Sequence, residues 1–221
     1  GTDITATLTG SDVSFSAPTN FNGSESFTIT VGDGELSDSE TFIITVNAVN
    51  DAPTLATVSD VSFDEDTSGS ISLSGSDIDG DDLTYSITAG TDITATLTGS
   101  DVSFSAPTNF NGSETFTILL SDGELDDTQN ITVTIIPVND APVATAGLSG
   151  TTNEDQNIVI TLSGTDIDGD ALTYSLDTDA TNGSVVIDGT LATYTPTLNY
   201  NGDDTFSFTV SDGELSDTAE V

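Results

Sequence analysis

The sequence has no lysine, no arginine and no histidine, against 38 aspartates and glutamates, for a formal net charge of −38 at pH 7. An ordinary chain of this length carries about 25 lysines and arginines. Their absence excludes nucleic acid as a partner, because phosphate binding needs them. It argues against an anionic membrane surface for the same reason. Cysteine is absent too, so there is neither a disulfide staple nor a thiolate metal site. Without lysine, no cross-link can use a lysine amine. Methionine is missing even at position 1, and no signal peptide is present. The sequence therefore reads as a window of a longer chain. No apolar run approaches the ~20 residues of a membrane span.

These absences also bear on catalysis. The usual bases, nucleophiles and charge clamps are not available. Paired carboxylates could hydrolyse a glycoside, but every aspartate cluster here recurs with a sequence repeat, as ligands of a structural metal would. The reading is therefore non-enzymatic. Tryptophan is absent, and the four tyrosines are Tyr85, Tyr174, Tyr194 and Tyr200. Tyr85 and Tyr174 fall on the apolar side of strand patterns, which makes a sugar-stacking platform the weaker reading.

What is present is repetition. Residues 1–25, GTDITATLTGSDVSFSAPTNFNGSE, recur unchanged at 90–114. VNDAP stands at 49–53 and 138–142, and DIDGD at 77–81 and 166–170, each pair offset by 89 residues. SDGEL at 121–125 returns at 211–215, so the last copy holds one extra residue between Asp177 and Asn199. The phase divides the window into the second half of one repeat (1–50), a complete repeat (51–139) and a third that stops roughly one strand short (140–221). A unit of this length exceeds solenoid periods, so each repeat should carry its own core.

Within the complete repeat, period-two alternation predicts seven strands near 55–63, 70–75, 82–88, 92–98, 101–106, 114–121 and 128–137. Ile71 and Leu73, Leu83 and Tyr85, and Phe116, Ile118 and Leu120 mark inward faces. Thr and Ser fill the outward ones. Asp188-Gly189 reads as a tight hairpin turn, and no segment has helical period. The expected fold is all-β: tandem seven-stranded Greek-key sandwiches of immunoglobulin type, joined end to end.

In such a sandwich, loops alternate between the two ends. DIDGDD and SDGELDD would lie where the chain enters, and NFNGSE and DEDT near where it leaves. Taken singly, DIDGD could be a turn, VNDAP a proline-ended linker and SDG another turn; acidic loops are ordinarily solvated surface. Their joint, repeated placement at one junction points instead to a divalent cation. Ca²⁺ takes six to eight oxygen ligands, and the chain has no cation of its own. This is not an EF-hand, which needs Gly at its sixth position and Glu at its twelfth; counted from Asp77, those positions hold Asp82 and Thr88. The sequons at Asn22, Asn111, Asn130 and Asn182 carry no reading of their own.

The order of motifs, FDEDT, then DIDGDDLTYSI, NFNGSETF, SDGELDD and VNDAP, resembles bacterial cadherin-like tandem repeats of large extracellular adhesins and surface fibres. The resemblance implies Ca²⁺ between successive repeats. At the first junction it implies Glu25, Asn50, Asp51, Asp77, Asp79 and Asp122 as ligands. At the second it implies Glu65, Glu114, Asn139, Asp140, Asp166, Asp168 and Asp212. The animal linker Asp-x-Asn-Asp-Asn is reduced here to Asn-Asp, and NGSE or NGDD replaces the animal Asp-Arg-Glu. The implied role is a calcium-rigidified extension of an extracellular or surface-anchored adhesin or fibre. Its partners would be neighbouring repeats, with polysaccharide or a host surface reached through other domains. The alternatives are a carbohydrate-binding module of a polysaccharide-degrading system and a segment of a polymerised filament, a homopolymer with exchanged strands.

Overall fold

The computed structural model describes residues 2–221. The chain divides into two compact units: residues 1–63, 67–107 and 113–134 form one, and residues 64–66, 108–112 and 135–221 the other. Among the described residues every regular element is a strand, and no helix is long and apolar enough to cross a membrane.

In the first unit, β1 (Thr5–Thr9) pairs with β2 (Asp12–Ser16), and β3 (Gly23–Gly32) with β4 (Ser37–Val46). Then come β5 (Thr54–Leu55), β6 (Val61–Asp64), β7 (Gly69–Ser72), β8 (Gly75–Ser76), β9 (Thr84–Ile87), β10 (Thr94–Thr98), β11 (Asp101–Ser105), β12 (Gly112–Ser121) and β13 (Asp126–Ile136). One sheet runs β10-β11-β7 and the other β6-β13-β12-β9, with β5 paired to β8. Neighbours that are distant in sequence make this a Greek-key arrangement. Phe104, Phe116, Ile118, Leu120 and Val133 are fully buried.

The first expected strand, 55–63, is broken in two. β5 pairs with β8, whereas β6 belongs to the other sheet, so the chain must cross between sheets. Side chains satisfy the backbone at the crossing. Leu55 N donates to Asp127 Oδ2 at 2.7 Å and Val58 N to Gln129 Oε1 at 3.0 Å. Gln129 Nε2 donates to the carbonyls of Leu55 and Ala56. The second expected strand is likewise split, into β7 and β8.

Residues 1–50 contain no counterpart of β6 to β9. Matching repeat positions therefore meet different environments. Ile118 and Leu120 are 0% exposed, whereas Ile29 and Val31, at the same repeat positions, are 42% and 72% exposed. Phe15, Phe27 and Phe42 pack on one another in their place.

The second unit holds β14 (Val143–Ala144), β15 (Ile158–Thr161), β16 (Gly164–Thr165), β17 (Thr173–Thr178), β18 (Gly183–Asp188), β19 (Leu191–Pro196), β20 (Ser207–Ser211) and β21 (Ser216–Glu220). Its sheets run β15-β19-β18 and β17-β20-β21, with β14 beside β16. Phe208, Val210, Leu162 and Ala192 centre the core, and Tyr174 packs against it, its ring stacked on Phe208. The extra residue of this copy appears as a bulge: the register shifts between Leu176 and Thr178, and Asp177 accepts a hydrogen bond from Ser207 Oγ at 2.6 Å. The hairpin at Asp188 turns one residue later than expected. Asp188 faces Leu191, leaving Gly189 and Thr190 as the loop. Gly189 has φ +57° and Thr190 no positive φ, the pattern of a type II′ turn, in which the first loop residue must be left-handed.

Candidate metal centre

The DIDGD loop folds around its first aspartate. In the second unit, Asp166 Oδ1 accepts Asp168 N at 3.0 Å and Asp170 N at 3.2 Å. In the first unit, Asp77 Oδ1 accepts the backbone N–H of Asp79, Gly80 and Asp81 at 2.8, 3.0 and 3.4 Å. Short aspartate side chains favour such local turns. The glycine inside each loop, Gly80 or Gly169, sits at φ near +80°, where a Cβ would be strained. The other oxygen of the lead aspartate, Asp77 Oδ2 or Asp166 Oδ2, is buried and accepts no hydrogen bond among the described residues.

In the second unit the linker joins this loop. Asp140 N donates to Asp168 Oδ2 at 2.8 Å, and Asp140 Oδ2 is buried without a partner. Glu65 completes the group. Its backbone N donates to Ile136 O at 2.9 Å, and its Oε1 accepts Val138 N at 2.6 Å. The residue is only 4% exposed, and its Oε2 has no partner. Asp66 follows at φ +60° and accepts Asn109 N at 3.0 Å. Carboxylate oxygens of Glu65, Asp140 and Asp168 lie within 4.8 Å of one another, as do those of Asp166, Asp168 and Asp170. A cavity of about 280 Å³ opens beside Asn109, Asp140 and Asp166.

Electrostatically this is a site without counter-charge. Burial, then the charges of Asp168, Asp66, Glu65 and Asp166, raise the Asp140 carboxyl above the ordinary aspartate value. A buried, unsatisfied carboxylate oxygen is costly, and here three of them sit in one neighbourhood.

The first unit repeats part of this design. Asp51 N donates to Asp79 Oδ2 at 2.8 Å, and Asp77, Asp79 and Asp81 form a group within 4.8 Å. Glu65 has no counterpart in residues 1–50. At both places the linker asparagine holds the SDG loop: Asn50 Nδ2 donates to Asp122 Oδ2, and Asn139 Nδ2 to Asp212 Oδ2, each at 2.9 Å. The remaining oxygens of Asp122 and Asp212 take two backbone N–H groups each, from residues 124 and 125 and from 214 and 215. These bonds lower both carboxyls below the ordinary aspartate value.

Glu25 and Glu114 bind backbone of their own repeat. Glu114 accepts Thr91 N at 2.9 Å and Asp92 N at 2.7 Å. Glu25 accepts the N–H of Thr2, Asp3 and Ile4 at 2.8–3.0 Å, which lowers its pKa to about 2. Asp204 has this role in the last copy, bonding Thr181 N, Asn182 N and the Tyr194 hydroxyl. Neither glutamate belongs to the carboxylate groups above. Sequence reasoning missed this bracing role; the visible signal was an acid at one repeat position, always 23 residues after the start of the turn it caps. It also passed over Asp81 and Asp170, the third members of the loop groups.

Against known proteins, the chain matches the bacterial Ig domain over residues 50–134 and 139–221. It is 33% identical to Chitinase A of Pseudoalteromonas piscicida over 183 residues, covering 74% of this chain and 22% of the chitinase. It thus spans about a fifth of that curated relative. Among solved structures it is similar to the extracellular cadherin domains 1–5 of protocadherin gamma B2, with TM-score 0.58 at 15% identity, covering 99% of this chain and 49% of that one. It also aligns with an endo-fucoidan hydrolase of glycoside hydrolase family 107, with TM-score 0.36 at 21% identity, covering 98% of this chain and 36% of that one.

Proposed function

The chain belongs to the bacterial Ig domain family, and on that premise we propose that it is a calcium-stiffened, non-catalytic spacer segment of a larger extracellular or surface protein. The observation that carries this reading is the set of buried, partnerless oxygens, Glu65 Oε2, Asp140 Oδ2 and Asp166 Oδ2, in a chain with no Lys, Arg or His. The donor set is all oxygen, which suits a hard cation such as Ca²⁺ and not a thiolate-seeking metal. Glu65, Asp140, Asp166 and Asp168 would hold the ion, with Asn139 and Asp212 bracing the linker and Glu114 the repeat beside it. At the earlier linker Asp51, Asp77 and Asp79 would hold it, with Asn50 and Asp122 bracing. The bound cation would supply positive charge where the chain has none and so tie linker to loop. Each repeat keeps its own core, so the ion would govern stiffness more than secondary structure.

The test is calcium titration calorimetry on chelator-stripped protein, paired with small-angle scattering. Binding should occur at millimolar Ca²⁺ or below, with the maximum dimension larger or better defined than in chelator. Heatless titration and superimposable scattering curves would remove the proposal. The likeness to Chitinase A favours a second reading, in which the segment serves a secreted protein that acts on polysaccharide. Affinity electrophoresis in soluble chitin derivatives separates a passive spacer, which migrates unretarded, from a carbohydrate-binding module.

A further inference from the structure

Glu65 is the most buried member of the metal centre, at 4% exposed, and it lies in the turn between β6 and β7. On one side the turn is tied by its backbone, Glu65 N donating to Ile136 O at 2.9 Å. On the other side the tie is a side chain. Asp66, exposed and left-handed at φ +60°, accepts Asn109 N on its Oδ1 at 3.0 Å, 43 residues away in sequence. Asn109 is itself left-handed, at φ +58°. The third repeat rebuilds the pair: Asp155 at φ +64° accepts Asn199 N at 2.8 Å, with Asn199 at φ +60°. Among residues with a side chain, Asn and Asp adopt this conformation most readily. Residues 1–50 separate cause from effect. Asn20 stands in the same sequence as Asn109 and has φ +61°, although that stretch contains no counterpart of Asp66. The loop after β11 therefore takes its shape unaided. What the Asp66 bond fixes is the turn that carries Glu65.

We propose that Asp66 is a positioning residue of the metal centre: by gripping Asn109 it holds the Glu65 turn so that Oε1 meets Val138 N and Oε2 is presented to the cation. The use of Oε2 rests on the calcium reading above, whereas the positioning itself does not need the ion. Three features select this role over direct ligation. Asp66 is exposed and stands outside the carboxylate groups. Its Oδ1 is spent on the Asn109 amide. The same bond recurs at Asp155, whose neighbour Glu154 belongs to none of those groups, so the grip does not depend on a cation beside it. The chemistry of the bond also separates the two roles. Asparagine at position 66 would keep a carbonyl acceptor and tolerate the left-handed backbone. Glycine would keep the backbone and lose the acceptor.

The test compares Asp66→Gly, Asp66→Asn and Asp155→Gly in residues 1–221, by amide hydrogen exchange in chelator and by Ca²⁺ titration calorimetry. In chelator, the Val138 amide, bonded to Glu65 Oε1 at 2.6 Å, should exchange about ten-fold faster in Asp66→Gly than in the unaltered chain, as on loss of one hydrogen bond. In Asp66→Asn and Asp155→Gly it should keep its protection. Calcium affinity should fall about ten-fold in Asp66→Gly, as on loss of an outer support, and far less in the other two. Unchanged Val138 exchange in Asp66→Gly would overturn the proposal, with or without calcium. Equal losses of affinity in Asp66→Asn and Asp66→Gly, with Val138 still protected in Asp66→Asn, would overturn it in favour of Asp66 as a ligand. Val138 exchange accelerated as much by Asp155→Gly would also overturn it, because the effect would then be a general loosening. An unaltered chain that takes up no Ca²⁺ removes the calcium reading alone, and the exchange in chelator still decides the positioning.

Discussion

The side-chain amide of Asn139 donates to Asp212 Oδ2 at 2.9 Å across 73 residues of sequence, and Asn50 repeats the bond with Asp122. The linker is thereby pinned to the SDG loop by a neutral donor, in a protein with no cationic one. The bond adds no charge to a crowded acidic site, while it spends one oxygen of Asp212 on the linker. Asp212→Ala is expected to lower the melting temperature of the third repeat in chelator and to weaken calcium binding by about ten-fold, as loss of an outer support does. Asp166→Ala should weaken it more. Calorimetry on the two variants decides the order; a larger loss in Asp212→Ala would make Asp212 a direct ligand.

Glu65 should have opposite effects with and without calcium. Its Oε2 is buried and unpaired, so in chelator the charge is a cost. Glu65→Gln is expected to stabilise the metal-free protein by about 1 kcal/mol and to weaken calcium affinity. Urea denaturation in chelator and in millimolar Ca²⁺ reads both signs. Destabilisation in both conditions would mean that the Val138 bond outweighs the buried charge.

Glu25 makes acid stability predictable. Its folded-state pKa is depressed to about 2 from an ordinary 4.5 by the N–H groups it accepts, so the folded state holds its proton less tightly than the unfolded one. Its contribution is complete above the ordinary glutamate value and is lost as pH falls from there through about 2. Glu25→Gln should flatten that part of the pH–stability curve for residues 1–50. An NMR titration in which Glu25 protonates near 4.5 would contradict the bonding described.

Phe15 and Phe104 stand in identical sequence. Phe104 is fully buried, whereas Phe15 is half-buried. Phe104→Ala should cost about 3–5 kcal/mol, and Phe15→Ala clearly less. Equal losses in chemical denaturation would indicate that residues 1–50 are covered in solution.

The loop glycine and the fourth loop acid separate backbone from charge. A Cβ at Gly80 meets no atom within 4 Å, so Gly80→Ala should cost only the left-handed conformation at φ +83°, about 1–2 kcal/mol, and should weaken calcium binding through loop geometry. Asp82 is exposed and outside the carboxylate groups. Asp82→Ala should leave affinity unchanged, while Asp79→Ala lowers it. The reverse order in titration calorimetry would reassign the loop.

Sequence alone determined the repeat, the all-β class and the acidic DIDGD and SDG loops whose aspartates bond to the linker. Alternation of period two is a local property, and it placed Phe116, Ile118 and Leu120 inward correctly. The DIDGD loop was legible for the same reason: Asp77 and Asp166 bond to amides two to four residues away. Only tertiary structure decided where other carboxylates point. Glu114 turns to Thr91 and Asp92, 23 and 22 residues upstream, and Glu65 turns to Val138, 73 residues on. Glu65 lies in a turn and Glu114 in β12, and nothing local distinguishes the fully bonded carboxylate from the one that keeps an unpartnered oxygen. The break between β5 and β6 was hidden likewise, because it depends on Asp127 and Gln129 satisfying a distant backbone. Most telling are residues 1–25 and 90–114, identical in sequence yet different in burial: Val102 and Phe104 are buried, whereas Val13 and Phe15 are only half-buried. A residue's burial depends on which strands cover it, and those strands lie elsewhere in the chain.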